Sequence, residues 1–255
     1  MRIHWYLRCK VREVTMDFSE GMHQIVLQSF PYASITLDRF HMQQLATDPM
    51  QELRLKYKKE AQKEQNEKRK LFKEQLAEKY EKSLKRRKKG KKDNRGRKPI
   101  RKNKAYVPER LPNGDTLPEL LTRTHYSLMV SPEKWTTTQK ERMKLLFERY
   151  PDMEKAYSLV HSLRMIFSNT RATWISGYVS MQNWFDKVKE FGNDSFNTVA
   201  ETIKDRLDEV LNYFIHRATN ASAESLNSKI KQFRAQLRGV VDIDFFLYRL
   251  SMIFG

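Results

Sequence analysis

Between Arg54 and Lys104 the chain carries 24 Lys or Arg against 7 Asp or Glu, which is 17 of its 18 net positive charges. Such a stretch cannot form a core, because an unpaired charge taken out of water costs several kcal/mol. Whatever core the chain builds must come from the flanks, which are close to electrically neutral. With 255 residues and 39% hydrophobic content, the chain can make one large domain or a core with an insertion. Charge this concentrated points to a polyanionic partner such as nucleic acid. The densest part, Lys85, Arg86, Arg87, Lys88, Lys89, Lys91 and Lys92, is the expected nucleic-acid-binding cluster. Its plain alternative is a solvated, partly helical charge run.

The first forty residues read as strand, helix, strand: Val11 to Phe18, a helix turning Met22, Ile25, Val26 and Phe30 inward, then Ser34 to Phe40, with Pro31 as the stop between. A β-α-β unit of this kind puts Asp17 and Asp38 near the carboxyl ends of their strands, where open α/β sheets gather ligands. A long helix is expected from about Met42. It becomes steadily more basic and gives way to a Gly, Pro and Lys-rich segment, expected to fray, that ends near Leu117.

Amphipathic helices return over 118–190, anchored by Leu145, Leu146, Tyr157, Leu159, Val160, Leu163 and Phe167. One further helix is predicted over about 194–215 from Phe196, Val199, Ile203, Val210, Leu211 and Phe214. A last helix with Phe246, Leu247, Leu250 and Ile253 is expected to pack back on the core. Trp174, Tyr178 and Trp184 read first as packing residues and second as platforms for unpaired bases. The four resulting segments are 1–48 (partial core), 49–117 (basic helix and basic segment), 118–190 (helical insertion) and 191–255 (C-terminal core helices).

Cys9 is the only cysteine, so an internal disulfide and a cysteine-based zinc cluster are both excluded. No apolar run approaches the roughly 20 residues that cross a bilayer, and the charged opening does not read as a signal peptide. No membrane partner and a cytoplasmic, nucleoid-associated location are the expectation.

Two short segments carry the chemistry. VREVTMDFS at 11–19 is a β-branched run ending on Asp17. RATNASAESLNSKIK at 217–231, at helical spacing, puts Asn220, Glu224, Asn227 and Lys231 on one face and Ala223, Leu226, Ile230 and Phe233 on its neighbour. A carboxylate at a strand end and another on a helix suit a divalent-metal site for phosphoryl transfer. Taken alone, a strand-end Asp is more often a turn or helix-capping residue. In LDRFH, Asp38 and His41 stand three residues apart and can converge on one ligand, although N-capping by Asp38 and packing by His41 explain the same pattern.

With those two segments, SFPYASITLDRFHMQQLA, THYSLMVSPEKWTTTQKERMKLLFERYPDMEKAYSLVHSLRMIF and the continuation to FFLYRL, the chain resembles the DDE transposases of bacterial insertion sequences over residues 11–253. The resemblance implies an α/β fold leaning towards α+β, a partial ribonuclease H-like core with a large all-α insertion. It also implies Asp17 and Glu224 as catalytic and metal-binding carboxylates, with Mg²⁺ or Mn²⁺ as cofactor and transposon ends and target DNA as substrates. Asp38, His41, Asn220, Asn227 and Lys231 are secondary positions, the Lys as a phosphate contact.

The family's first catalytic Asp belongs on an earlier strand, yet residues 1–16 contain Glu13 as their one acid. The resemblance therefore implies an N-terminally truncated copy with an exposed sheet edge, poor stability and little cleavage of its own. Two alternatives stand beside it: a site completed by another transposase chain, and a non-catalytic DNA-binding or structural protein using only residues 54–104.

Overall fold

The computed structural model describes residues 4–88, 104–237 and 240–254. In chain order its elements are α1 (Trp5–Arg8), β1 (Glu13–Met16), α2 (Glu20–Ser29), β2 (Ser34–Leu37), α3 (Arg39–Lys88), α4 (Leu117–Arg123), α5 (His125–Leu128), a 3-10 turn (Pro132–Lys134), α6 (Thr137–Arg149) and α7 (Pro151–Ser168). They continue with α8 (Trp174–Phe191), α9 (Asp194–Asp205), α10 (Leu207–Leu211), α11 (Tyr213–His216), α12 (Ala221–Gln236) and α13 (Ile243–Phe254). The protein is mainly helical, with one sheet of two strands among the described residues. Two compact units account for the chain, Met1–Leu45 with Leu163–Gly255, and Ala46–Ser162. No helix among the described residues is long and apolar enough to cross a membrane.

In the first unit β1 and β2 pair in parallel, Glu13 opposite Ser34 and Met16 opposite Leu37. Parallel neighbours need a crossover, which α2 supplies. Alternation then divides the pair into an apolar face, Val14 and Met16 with Ile35 and Leu37, and a polar face, Glu13 and Thr15 with Ser34 and Thr36. On the polar face the buried Thr36 hydroxyl donates to Glu13 Oε1 at 2.6 Å. The sheet packs against α10, and Asn212 Nδ2 donates to the Ile35 carbonyl at 2.7 Å.

The rest of this core comes from Val26, Leu163, Phe167, Met181, Trp184, Val188, Phe196, Ile203, Val210, Leu211, Tyr213 and Phe214, all buried. α8 and α9 start where their caps dictate. Thr173 forms a capping box with Ser176, and the Asn193 side chain accepts from the Phe196 amide.

Four expectations are corrected here. Val26 is the one buried residue of α2, while Met22 and Ile25 are about half exposed. A two-stranded sheet offers too little surface to cover a wider apolar stripe, and the helix is held instead by His23 Nε2, 2.7 Å from Glu209 Oε1. The single helix over 194–215 is three short ones. It breaks at Arg206 (φ −123, ψ 31), whose guanidinium pairs with Glu209, and again at Asn212, which turns to β2.

α13 has no buried residue; Leu247 and Ile253 lie open, and Phe246 stacks at 5.7 Å on Phe233 of α12, itself an exposed helix. Finally, residues 104–116 of the Gly, Pro and Lys-rich segment are anchored. Tyr106 packs on Phe72, and Asp115 is buried.

Gly177, buried on α8, is required by a close approach. A Cβ there would meet the Phe214 ring at 2.6 Å, and that ring is fixed by its stack on Phe167 at 5.4 Å. Gly177→Ala is expected to lower stability by about 1–2 kcal/mol in urea unfolding, overpacking outweighing the gain in helix propensity. A more stable variant would show that Phe214 is free to move aside.

In the second unit Ala46, Met50, Ala61, Leu120, Leu121, Leu128, Met143, Leu146, Met153, Ala156, Tyr157, Leu159 and Val160 form the core. α3 crosses it with a buried cation. Arg54 is 6% exposed, donates to the Leu121 carbonyl at 2.8 Å and to Gln51 at 2.7 Å, and burial holds its guanidinium below the ordinary value. Further along, α3 becomes mostly charged, with Lys68–Glu64 and Lys82–Glu78 pairs at i,i+4 spacing.

Candidate active site

The polar face of the sheet ends on two aspartates. Met16 pairs with Leu37, and the Asp38 amide donates to the Met16 carbonyl at 2.8 Å, so Asp17 and Asp38 follow side by side at the carboxyl ends of β1 and β2. They are differently held. Asp17 is half-buried, and its Oδ1 accepts from the Ser19 amide at 3.0 Å, forming the turn that leads into α2. Asp38 is 3% exposed, and its Oδ2 lies 3.2 Å from His41 Nδ1. A buried carboxylate needs such a partner. His41 itself is part-exposed on the first turn of α3, edge-on to Phe40.

Glu224 stands in the first turn of α12, exposed, its amide donating to the Asn220 carbonyl at 2.8 Å. Asn220 is the N-cap residue, without a side-chain capping bond. Asn227 and Lys231 follow on the same face and are exposed. In this unit an open hollow of about 330 Å³ is lined by Asp38, Arg39, Phe40, Gln43, Arg164, Ser168, Thr219, Ala221 and Glu224. Asp38 and Glu224, 186 positions apart in sequence, therefore face one space. Asp17, His41, Asn220, Asn227 and Lys231 do not line it.

The approach to α12 is fixed by Arg217, a non-glycine residue in the left-handed region (φ 56, ψ 28). A residue held there costs of order 1 kcal/mol or more and persists only when its surroundings over-determine it. Here its guanidinium donates to the Ala172 and Thr170 carbonyls at 2.5 and 3.3 Å and lies over the Tyr213 and Phe214 rings at 5.2 and 5.1 Å.

Of the aromatic residues read from the sequence, Trp184 is core, whereas Trp174 and Tyr178 stack on each other at the surface. In the basic cluster Lys85 is exposed and Arg86, Arg87 and Lys88 continue the α3 backbone; Lys89, Lys91 and Lys92 lie outside the described residues. The sequence reading missed Arg39, Gln43, Arg164 and Ser168 as members of the hollow. Arg39 had a signal, its place inside LDRFH. Arg164, in a helix whose pattern reads as core, had none.

Among the described residues no three His, Cys, Asp or Glu come together to hold a metal ion. No curated protein and no solved structure gives a significant match to the chain. A family model of the ISL3 type of DDE transposases, described as Transposase, matches residues 4–250. With nearly the whole of its length inside that match, the chain belongs to the DDE transposases of insertion sequences.

Proposed function

We propose that the chain contributes Asp17 and Glu224 to a divalent-cation site for DNA strand cleavage and transfer on a partial ribonuclease H-like core, and that it does not cleave DNA on its own. The observation that carries this reading is the shared hollow of Asp38 and Glu224, with Asp17 beside Asp38 at the strand ends. Asp38 and His41 support it as a hydrogen-bonded pair that holds the carboxylate in place. Asn220, Asn227 and Lys231 serve the face of α12 that meets DNA, the Lys as a phosphate contact. A bound Mg²⁺ or Mn²⁺ would supply charge stabilisation at the phosphoryl oxygens. On this reading Asp17 and Glu224 are two of three carboxylates, and the third comes from another transposase chain.

The test is a Mg²⁺- or Mn²⁺-dependent nicking and strand-transfer assay on DNA with the element's own ends, comparing wild type with Asp17→Asn, Asp38→Asn and Glu224→Gln. We expect no cleavage by wild type together with salt-sensitive DNA binding. Cleavage lost in Asp17→Asn or Glu224→Gln would show a complete site and overturn the claim of inactivity. If the chain is mixed with a full-length transposase chain that supplies the further carboxylate, and Asp17→Asn and Glu224→Gln leave cleavage by the mixture untouched, the reading of the site fails. The chain then acts as a basic DNA-binding protein through residues 54–104.

A further inference from the structure

We infer that Arg164 is a positioning residue that, together with Arg39, holds a DNA phosphodiester in the hollow facing Asp38 and Glu224. The inference rests on the reading of that hollow as the DNA site and names its cationic side. Arg164 lines the hollow from α7, is half-buried, and has no hydrogen bond or ion pair from its side chain among the described residues. A guanidinium carries five donors and no acceptor, and those of Arg164 are left open to the hollow, where a bound anion can take them.

Arg39 is already oriented. Its Nη1 donates to the Tyr213 hydroxyl at 2.9 Å and its guanidinium lies 5.7 Å from the Tyr213 ring. The planar fork of Arg matches two phosphate oxygens at once, which a point charge does not. Arginines in the same open space as Asp38 and Glu224 offset the repulsion those carboxylates exert on an anion, and a backbone phosphate is an anion that two guanidinium groups can hold. The first turn of α12, with Thr219 and Ala221 on the hollow, adds amides that favour an anion there.

The experiment is the salt dependence of binding of the full chain to a short DNA duplex, measured by fluorescence anisotropy in EDTA, for wild type, Arg164→Ala, Arg164→Lys and Lys155→Ala. Lys155 lies exposed on the same helix and does not line the hollow. Leaving one phosphate without its cation is expected to lower the slope of log K against log salt by about 0.9, with Arg164→Lys restoring the slope and Lys155→Ala leaving it near that of wild type.

Thermal melting of Arg164→Ala should match wild type, and if it does not, the Lys variant decides the question through its slope. A slope unchanged in Arg164→Ala, or lowered equally in Lys155→Ala, overturns the inference while the DNA-binding reading stands. No binding by wild type overturns both. Because EDTA removes divalent cations, the outcome does not depend on whether the chain cleaves.

Discussion

Raising the salt from 50 to 200 mM is expected to weaken binding of this chain to duplex DNA by about 10³ to 10⁵, the effect for a protein that neutralises about six to ten phosphates. The physical term is counterion release, and the residues able to drive it are concentrated. Along α3 the Lys residues up to position 82 alternate with Glu, and pairs such as Lys68–Glu64 and Lys82–Glu78 spend part of their charge inside the helix. From position 85 to 92 there is no Asp or Glu at all. Converting Lys85, Arg86, Arg87, Lys88, Lys89, Lys91 and Lys92 to Gln should therefore remove most of the salt dependence, at about 0.9 in slope for each phosphate no longer neutralised. Non-specific binding should suffer with it. If affinity and slope survive the substitution, the cluster is a solvated face and the DNA is held elsewhere.

Asp115→Ala is expected to cost about 2–4 kcal/mol of the stability of the Ala46–Ser162 unit, measured by urea unfolding. Asp115 is 2% exposed, accepts from Arg123 on one oxygen and from Arg142 Nε at 2.8 Å on the other, and sits where residues 104–116 join α4. Charge-assisted hydrogen bonds of this kind contribute about 1.5–3 kcal/mol each. The Arg123 side chain is half exposed, so its share is discounted for solvent screening.

Burial pushes the Asp115 carboxyl up. The hydrogen bond and charge of Arg142, followed by those of Arg123, outweigh that and hold it below the ordinary value of 3.8. The sign follows from linkage. A carboxyl depressed in the folded state contributes stability that is fully present above its unfolded value and is lost as pH falls through its folded value. Wild type should thus lose this increment only below about pH 4, and Asp115→Asn should lack that acid-dependent loss. A cost under about 1 kcal/mol would mean that the two arginines find water as good a partner as the carboxylate.

The two aspartates at the sheet end were legible because they depend on short-range rules. A period of two puts Glu13, Thr15 and Asp17 on one face and Ser34, Thr36 and Asp38 on the same face of the next strand. A ten-residue helix between them forces the pair to be parallel. The long basic helix was legible because its pattern continues past Pro49 and its dense charge beyond Ala61 keeps that part of it in water. The predicted 194–215 helix failed where a local pattern met a distant partner: Asn212 gives its side chain to Ile35, 177 residues earlier. α13 failed in the opposite sense. Its apolar stripe is real, but nothing among the described residues of the core covers it.

The residue order on its own therefore determined that the dense charge run stays in water, that a strand, helix, strand unit opens the chain, and that Asp17 and Asp38 lie near the carboxyl ends of its strands. Each of these follows from interactions within a few residues along the chain. The space shared by Asp38, Arg164 and Glu224 came only with the folded chain. It depends on how the start of α3, the end of α7 and the start of α12 pack within the Met1–Leu45 and Leu163–Gly255 unit, and on the Arg217 side chain held to the Ala172 carbonyl ahead of α12. No periodicity encodes such a meeting, because side chains sixty or more residues apart converge only after the core between them has chosen its packing.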